Sequence, residues 1–257
     1  GPVLIILSHG GVAPIQDTIR LAAGTVLSGP AGGVAGARRS AELLGAPNLI
    51  PFDMGGTSTD ISLISGGEAA LSSDRGVGGE RVALPSLDIV SIGAGGGSIA
   101  RVDAGGVLHV GPESSGAQPG PACYGRGGTQ PTTTDASVVL GLLDAENFLG
   151  GAATLDKPAA EKALDGLAET LGLDRMTAAE GVHRVVNTNM AEGVRLVSVR
   201  RGVDPRKFAM LSFGGAAGVV RAHTTSRVCL VCLVFCLSCL SCLSVCLSCL
   251  VLSCLSV

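Results

Sequence analysis

Two carboxylates bracket a run of glycine and hydroxyl residues in PFDMGGTSTDISLI, residues 51–64: Asp53, then Gly55, Gly56, Thr57, Ser58 and Thr59, then Asp60. Two readings fit those types at that spacing. A nucleotide triphosphate needs backbone N–H donors aimed at it with no side chain in the way, and Gly55 and Gly56 allow that approach. Thr57, Ser58 and Thr59 add hydroxyl donors. Asp53 and Asp60 could hold Mg²⁺ through water, because that ion keeps much of its hydration shell. The plainer reading is a tight hairpin turn, for which a Gly pair flanked by Asp and Thr is ordinary chemistry. A Walker A loop is excluded: no Lys follows and no helix opens there.

Other reactive types are sparse. Cys123, within PGPACYG, has no His nearby to activate it, and a lone thiol is more often buried packing. His9 and His109 lack metal-ligand spacing, His183 stands beside Arg184, and all four histidines, His223 included, read as structural or surface residues.

The elements that must position the glycine run follow from pattern. Residues 3–7 read as a buried strand. Residues 28–45 read as a helix entered through Ser28 and Pro30 and stopped by Gly45, with small residues in its first turns. These suit either close packing on a sheet or an N-terminus open to an anion. Strands at 49–52 and 61–64 flank the glycine run, and 68–71 turns back after Ser65-Gly66-Gly67. Residues 86–111 repeat strand, glycine, strand, with the triple glycine 95–97 before Ser98 and a hairpin turn at 103–106. Residues 112–131 are too rich in Pro and Gly for regular structure; a loop of that length is functional or disordered. Helical periodicity then takes over: a helix begins near Asp135, an amphipathic one spans 158–171, and Thr177 with Glu180 forms a capping box for a long helix ended by Gly202. A last strand, 208–213, runs into Gly214-Gly215. The order describes a mixed α/β body.

Composition narrows the function. The 257 residues suffice for one large domain or two small ones. A net charge of −3, one Tyr and no Trp leave neither a phosphate-backbone binder nor a base-stacking platform, so nucleic acid is not an expected partner. The run VLIIL near the start is too short for a signal or a membrane span, and the Gly start reads as an internal break point. Of nine Cys, only Cys123 precedes residue 228, which suits a reducing, cytoplasmic setting.

Residues 228–257 have a different character, without a charged residue. Their hydropathy would qualify as a membrane span, and their CxxC pairs invite a zinc reading, although the turns and polar residues of a zinc module are missing. The unit CLSV is also what a four-base TGTC repeat encodes when translated. The tail therefore reads as translated simple-sequence DNA, reached by a frame change near residues 216–228. The chain divides into a body, 1–227, and this tail, 228–257.

Several stretches of the body resemble a known family in one order: VLSGPAGGVAGA, FDMGGTSTDISLI, LDIVSIGAGGGSIARVD, VGPESSGAQPGPACYGRGGTQPTTTDASVVLG and NTNMAEGVRLVSVRRGVDPRKFAMLSFGGA. Together they are similar to the hydantoinase A/5-oxoprolinase family, and FDMGGTSTDISLI resembles the phosphate hairpin of actin/hexokinase/Hsp70-type ATPases. The resemblance covers about residues 3–216. It implies part of an actin-like (ribonuclease H-like) ATPase fold, with ATP and Mg²⁺. The implied reaction is ATP-dependent opening of a cyclic amide, a hydantoin or 5-oxoproline, with a hydantoinase B-like subunit or domain as possible partner. The related acetone and acetophenone carboxylases imply an alternative, an ATP-using carboxylase subunit; a non-catalytic fragment is a third. By the same resemblance, Asp53 to Asp60 would be the phosphate hairpin and Gly95, Gly96, Gly97 and Ser98 a second backbone cradle. Gly214 and Gly215 would lie by the adenosine, and Asp88 and Asp135 would be polar site residues, roles that turn and cap geometry explain almost as well. Members of the family carry a first phosphate hairpin that would precede Gly1.

Overall fold

The computed structural model describes residues 1–73, 75–77, 80–216 and 230–232. The chain opens on an antiparallel hairpin, β1 (Leu4–Ile6) with β2 (Val12–Pro14), and a short helix α1 (Ile15–Arg20). This start is not the expected buried strand. A two-stranded ribbon has too few neighbours to bury its side chains, and Val3, Leu4 and Val12 stay exposed.

Helix α2 (Ser28–Leu44) has the expected bounds, with Pro30 in its first turn and Gly45 closing it in the left-handed conformation. Its buried stripe is Ala31, Val34, Ala37 and Ala41. Side chains this small let the helix lie close on the sheet beneath it.

The strands follow as β3 (Leu49–Met54), β4 (Thr59–Ser62), β5 (Ile64–Ser65), β6 (Glu68–Ala69), β7 (Leu71–Ser72), β8 (Arg75–Val77), β9 (Glu80–Val82), β10 (Ser86–Leu87), β11 (Ile89–Ile92), β12 (Ser98–Val102) and β13 (Leu108–Ser114). Helices α3 (Thr133–Val139), α4 (Lys157–Leu171) and α5 (Arg175–Val197) come next, then β14 (Ala209–Phe213) and β15 (Leu230–Cys232). The main sheet runs β11-β4-β3-β14-β15, with β5 attached to β3 and β6 attached to β5. β3 pairs antiparallel with β4 and parallel with β14, so the architecture is the mixed α/β expected.

Strand alternation divides the core in two. Ile50, Phe52, Met54 and Ile61 pack with Leu164, Val182, Val186 and Met190 of α4 and α5. Leu49, Ile64 and Leu211 pack on the other side, against the alanine stripe of α2. Asp53 is an even number of residues from Leu49, which puts it on the α2 face. The long helix departs from expectation at both ends. It begins at Arg175 with Asp174 as its N-cap, whose carboxylate accepts from the Thr177 N–H at 3.0 Å, and it ends at Val197. An Asp one residue before the apolar periodicity competes as a cap on equal terms with Thr177. Gly202 instead closes the following 3₁₀ turn, Val199–Arg201.

Leu230–Cys232 pairs parallel with β14, Leu211 opposite Val231. The rest of the tail, the membrane, zinc and repeat readings made of it, and His223 lie outside the described residues. Among the described residues no helix is long and apolar enough to cross a membrane, and no three His, Cys, Asp or Glu side chains group to hold a metal ion.

Candidate functional site

The glycine run is the tip of the β3–β4 hairpin. Met54 faces Thr59, Asp53 faces Asp60, and the Gly55 N–H donates to the Ser58 carbonyl at 2.9 Å. Gly56 and Thr57 are exposed at the tip. Among the described residues the N–H groups of Gly56, Thr57 and Ser58 have no internal acceptor, so three backbone donors stand open at one point.

The hairpin does not stand alone. Gly96 N–H donates to Gly55 O at 3.1 Å and Gly97 N–H to Gly56 O at 2.6 Å. Gly95 N–H donates to Ser98 Oγ at 2.8 Å, and Ser98 N–H to Gly95 O at 3.2 Å. The four N–H groups of residues 95–98 are thus spent inside the protein. This turn braces the hairpin from behind rather than offering a second open cradle. A Cβ on Gly95 would come within 2.8 Å of Gly55 O and of the Thr57 carbonyl carbon, so only glycine allows the two turns to meet. Thr59 Oγ1, wholly buried, donates to Ala94 O at 2.6 Å and ties the far arm of the hairpin to the same segment. Thr134 Oγ1 and N–H both donate to Gly96 O at 2.8 Å, which fastens the brace to α3.

Asp53 and Asp60 are direct cross-strand partners with side chains on one face. Burial first, and the Asp60 charge second, raise the Asp53 carboxyl above the ordinary Asp range. Ser91 Oγ, from β11, donates to Asp60 Oδ1. Among the described residues no Lys or Arg pairs with either carboxylate. Two close carboxylates, one partly desolvated and neither neutralised, fit a hydrated divalent cation whose other ligands are water and phosphate. Gly33 of α2 completes the floor: its Cβ, if present, would lie 2.9 Å from the Phe213 ring and 3.5 Å from Asp53 Oδ2.

Gly214 and Gly215 join the hairpin, as the parallel pairing of Phe213 with Asp53 requires. Gly214 has φ +99, a Cβ there would reach 2.5 Å from Met54 O, and Ala216 N–H donates to Met54 O at 2.9 Å. A cavity of about 350 Å³ opens beside this meeting point, with Gly56, Gly96, Thr134 and Gly215 at one end and Tyr124, Phe148 and Leu155 at the other.

Two carboxylates are not brought to the hairpin. Asp88 precedes β11 and forms a bidentate pair with Arg201. Since Ser91 is the residue opposite Asp60, Asp88 lies three residues, about 10 Å, along the strand from it. Asp135 is fully buried. It accepts from the N–H groups of Ala122, Cys123 and Thr132 at 3.2, 2.8 and 3.0 Å, and from Thr132 Oγ1 at 2.7 Å. It caps α3 and pins the Pro/Gly-rich loop, so capping chemistry accounts for it. Asp135→Ala would leave three buried N–H donors unpaired; a loss of about 3 kcal/mol or more is expected, read as a fall in Tm of roughly 6 °C or more. A fall under about 2 °C would contradict this role. Cys123 is fully buried, and burial foremost, with Asp135 next, pushes its thiol far above the ordinary range. It is a packing residue, not a nucleophile. His109 pairs with Asp103 at 2.7 Å on the β12–β13 hairpin, away from the glycine turns.

Ser91, Gly33 and the wall of Tyr124 and Phe148 were not anticipated. Ser91 reaches Asp60 only through the β11–β4 register, and Gly33 only through the α2–sheet approach; neither leaves a local signal. Tyr124 had one, as the single Tyr of the chain inside a glycine loop.

The sequence profile of the Hydantoinase/oxoprolinase family matches residues 1–248. The chain belongs to that family. Within the hydantoinase/oxoprolinase family, it is 44% identical over 219 residues to caprolactamase subunit alpha of Pseudomonas jessenii, covering 85% of this chain and 32% of that protein. The nucleotide-free structure of acetone carboxylase, an ATP-dependent carboxylase of acetone, superposes with a TM-score of 0.80 at 33% identity, over 89% of this chain and 32% of that one. The structure of ATP-dependent caprolactamase from Pseudomonas jessenii superposes with a TM-score of 0.77 at 39% identity, over 90% and 34%. The chain thus spans about a third of the length of these relatives. The fold is consistent with the actin-like ATPase class expected for this family.

Proposed function

We propose that the β3–β4 hairpin binds the phosphates of ATP and that the protein carrying it uses ATP to activate a cyclic amide for ring opening. The observation that carries this reading is the hairpin tip. Three backbone donors without an internal acceptor, with the Thr57 and Ser58 residues that carry two of them also bearing hydroxyls, cap a strand pair in which Asp53 faces Asp60, and among the described residues no Lys or Arg pairs with either carboxylate.

An unstrained amide resists water, so its carbonyl must first be activated. Transfer of the terminal phosphoryl group to the carbonyl oxygen breaks the P–O bond to ADP and forms one to the amide. Water then adds at the carbon, the ring nitrogen leaves as an amine with the proton water gives up, and hydrolysis of the acyl phosphate releases phosphate. Such transfer is catalysed mainly by position and electrostatics. Gly56, Thr57 and Ser58 would fix phosphate oxygens, and the brace at 95–98 would keep them from moving. Asp53 and Asp60 would hold Mg²⁺ through its water shell, and that ion supplies positive charge to the phosphates. Relatives named as subunits, such as caprolactamase subunit alpha, support a partner subunit.

The likeness to acetone carboxylase favours one other acceptor, a ketone phosphorylated on its oxygen before carboxylation. ADP release by the enzyme carrying this chain separates the two. Stimulation by 5-oxoproline, hydantoin or a simple lactam is the expected result. Stimulation by a ketone with bicarbonate alone would transfer the site to the second acceptor. ADP release that no acceptor changes would remove both.

A further inference from the structure

One row of side chains crosses four strands of the main sheet. Phe213 of β14 faces Asp53 of β3, Asp53 faces Asp60 of β4, and Asp60 faces Ser91 of β11. Direct cross-strand partners point to one side of a sheet, so all four stand on the α2 face, with Leu211 and Ile89. Helix α2 covers one end of the row, where Gly33 lies against the Phe213 ring and Asp53. At the other end Asp60 is half-buried and Ser91, on the edge strand, is exposed. The two carboxylates are held by different means. Asp53 is walled in: its Oδ1 abuts Gly214 so closely that a Cβ there would collide with it, and its Oδ2 lies toward Gly33. Asp60 has one tether among the described residues, Ser91 Oγ, which donates to its Oδ1.

We infer that Ser91 is a positioning residue for the cation: its hydroxyl holds Asp60 turned toward β11, away from Asp53, so that the pair can share a hydrated divalent ion and prefers Mg²⁺ to Ca²⁺. The inference rests on the phosphate and cation reading above and adds a strand which that reading leaves out. Like charges directly across a strand pair repel, and a half-exposed carboxylate relieves the repulsion by swinging out to water. β11 lies on the far side of β4 from β3. The Ser91 bond therefore draws Asp60 away from Asp53 and still keeps it in the row. A Lys or Arg in this place would hold Asp60 as firmly but would cancel the charge that an ion needs. The bond also uses up an oxygen: Asp60 Oδ1 is committed to Ser91, which leaves Oδ2 for the ion. Mg²⁺ keeps several waters and is served by single contacts, whereas Ca²⁺ takes about six to eight oxygens and binds carboxylates through one oxygen or both. A tethered Asp60 thus suits the smaller ion, and releasing the tether offers Ca²⁺ a second oxygen.

The test is thermal melting of the full-length protein carrying this chain, as wild type, Ser91→Ala and Ser91→Thr, with ADP in fixed excess and Mg²⁺ or Ca²⁺ titrated. The Mg²⁺ concentration at half the full rise in Tm is expected to be about tenfold higher in Ser91→Ala, the low end for losing a hydrogen-bond partner behind a metal ligand. The Ca²⁺ midpoint should stay unchanged or fall. Ser91→Thr keeps the hydroxyl and suits a strand, so it should match wild type for both ions. Ser91 is exposed on an edge strand, so both variants should fold. A Mg²⁺ midpoint in Ser91→Ala within about twofold of wild type overturns the role of Ser91 and leaves the cation reading standing. An equal loss for Mg²⁺ and Ca²⁺, or an equal loss in Ser91→Thr, also overturns it, because a disturbed strand rather than a lost tether would then be the cause. A wild-type rise with ADP that needs no divalent ion overturns the carboxylate pair as a cation site. No rise with ADP and Mg²⁺ in the wild type instead overturns the phosphate reading itself.

Discussion

Gly95→Ala is expected to cost the protein at least tenfold in nucleotide affinity while leaving it folded. Gly95 itself offers no donor to phosphate, because its N–H is spent on Ser98 Oγ. Its effect is transmitted through contact. The added methyl would sit 2.8 Å from Gly55 O and from the Thr57 carbonyl carbon, and 2.9 Å from the Gly56 carbonyl carbon. These are backbone atoms of the tip, with no flexible end to swing aside. Either the two turns separate, breaking the bonds from Gly96 and Gly97, or the tip rotates and its open donors lose their aim. Overpacking of this kind costs about 1–3 kcal/mol of stability, a fall of several degrees in Tm, which circular dichroism would read beside calorimetric binding. Full nucleotide affinity in a folded Gly95→Ala protein would mean that the brace has no part in the site.

Asp53→Asn is expected to raise the Tm of the nucleotide-free protein slightly, by about 2 °C at neutral pH, and to reduce turnover by two orders of magnitude or more. Both effects come from one charge. Burial and Asp60 raise the folded-state pKa of Asp53. Between the ordinary Asp pKa and that raised value, the folded state binds more protons than the unfolded one, so stability falls as pH rises through this window. Above it the penalty is complete, and an uncharged Asn removes it. In the proposed reading a divalent cation would neutralise the same charge, so a residue that costs stability in the empty site would serve in the filled one. Thermal melts from pH 4 to 8 check the first half: the advantage of Asn over Asp should vanish at the acid end. An advantage independent of pH, or turnover near wild type, would count against the assignment.

The sequence carried the hairpin because its residues are local. Asp53 through Asp60 form one turn, and each type has a reason visible without neighbours. The long helices were legible for the same reason, Leu164, Leu167 and Ala168 recurring on the face that α4 buries. What failed to show was set by pairing at a distance. Gly95–Gly97 resembles an open cradle in sequence, but the Gly96 and Gly97 donors meet carbonyls some forty residues earlier and the Gly95 donor meets Ser98 Oγ, and only the packed structure reveals them spent. Asp135 and Asp88 have the right type for a site; a cap and an ion pair with Arg201 claim them. Residues 112–131 gave no periodicity to read, yet Asp135 holds their backbone in place, and Tyr124 and Arg126 thereby reach a cavity shared with Gly56 and Gly215.

The central claim is that the tip at 55–58 holds phosphate, and the melting temperature with and without ATP and Mg²⁺ tests it most directly, in wild type and in Gly55→Val. The nearest outside atom to a Cβ on Gly55 is Ser58 O at an ordinary 3.5 Å, so the variant should fold while its branched side chain crowds the donors. Saturating nucleotide should raise the wild-type Tm by several degrees, since a ligand at a hundred times its Kd stabilises by about 2.7 kcal/mol. No rise is expected in Gly55→Val. An equal rise in both proteins would contradict it.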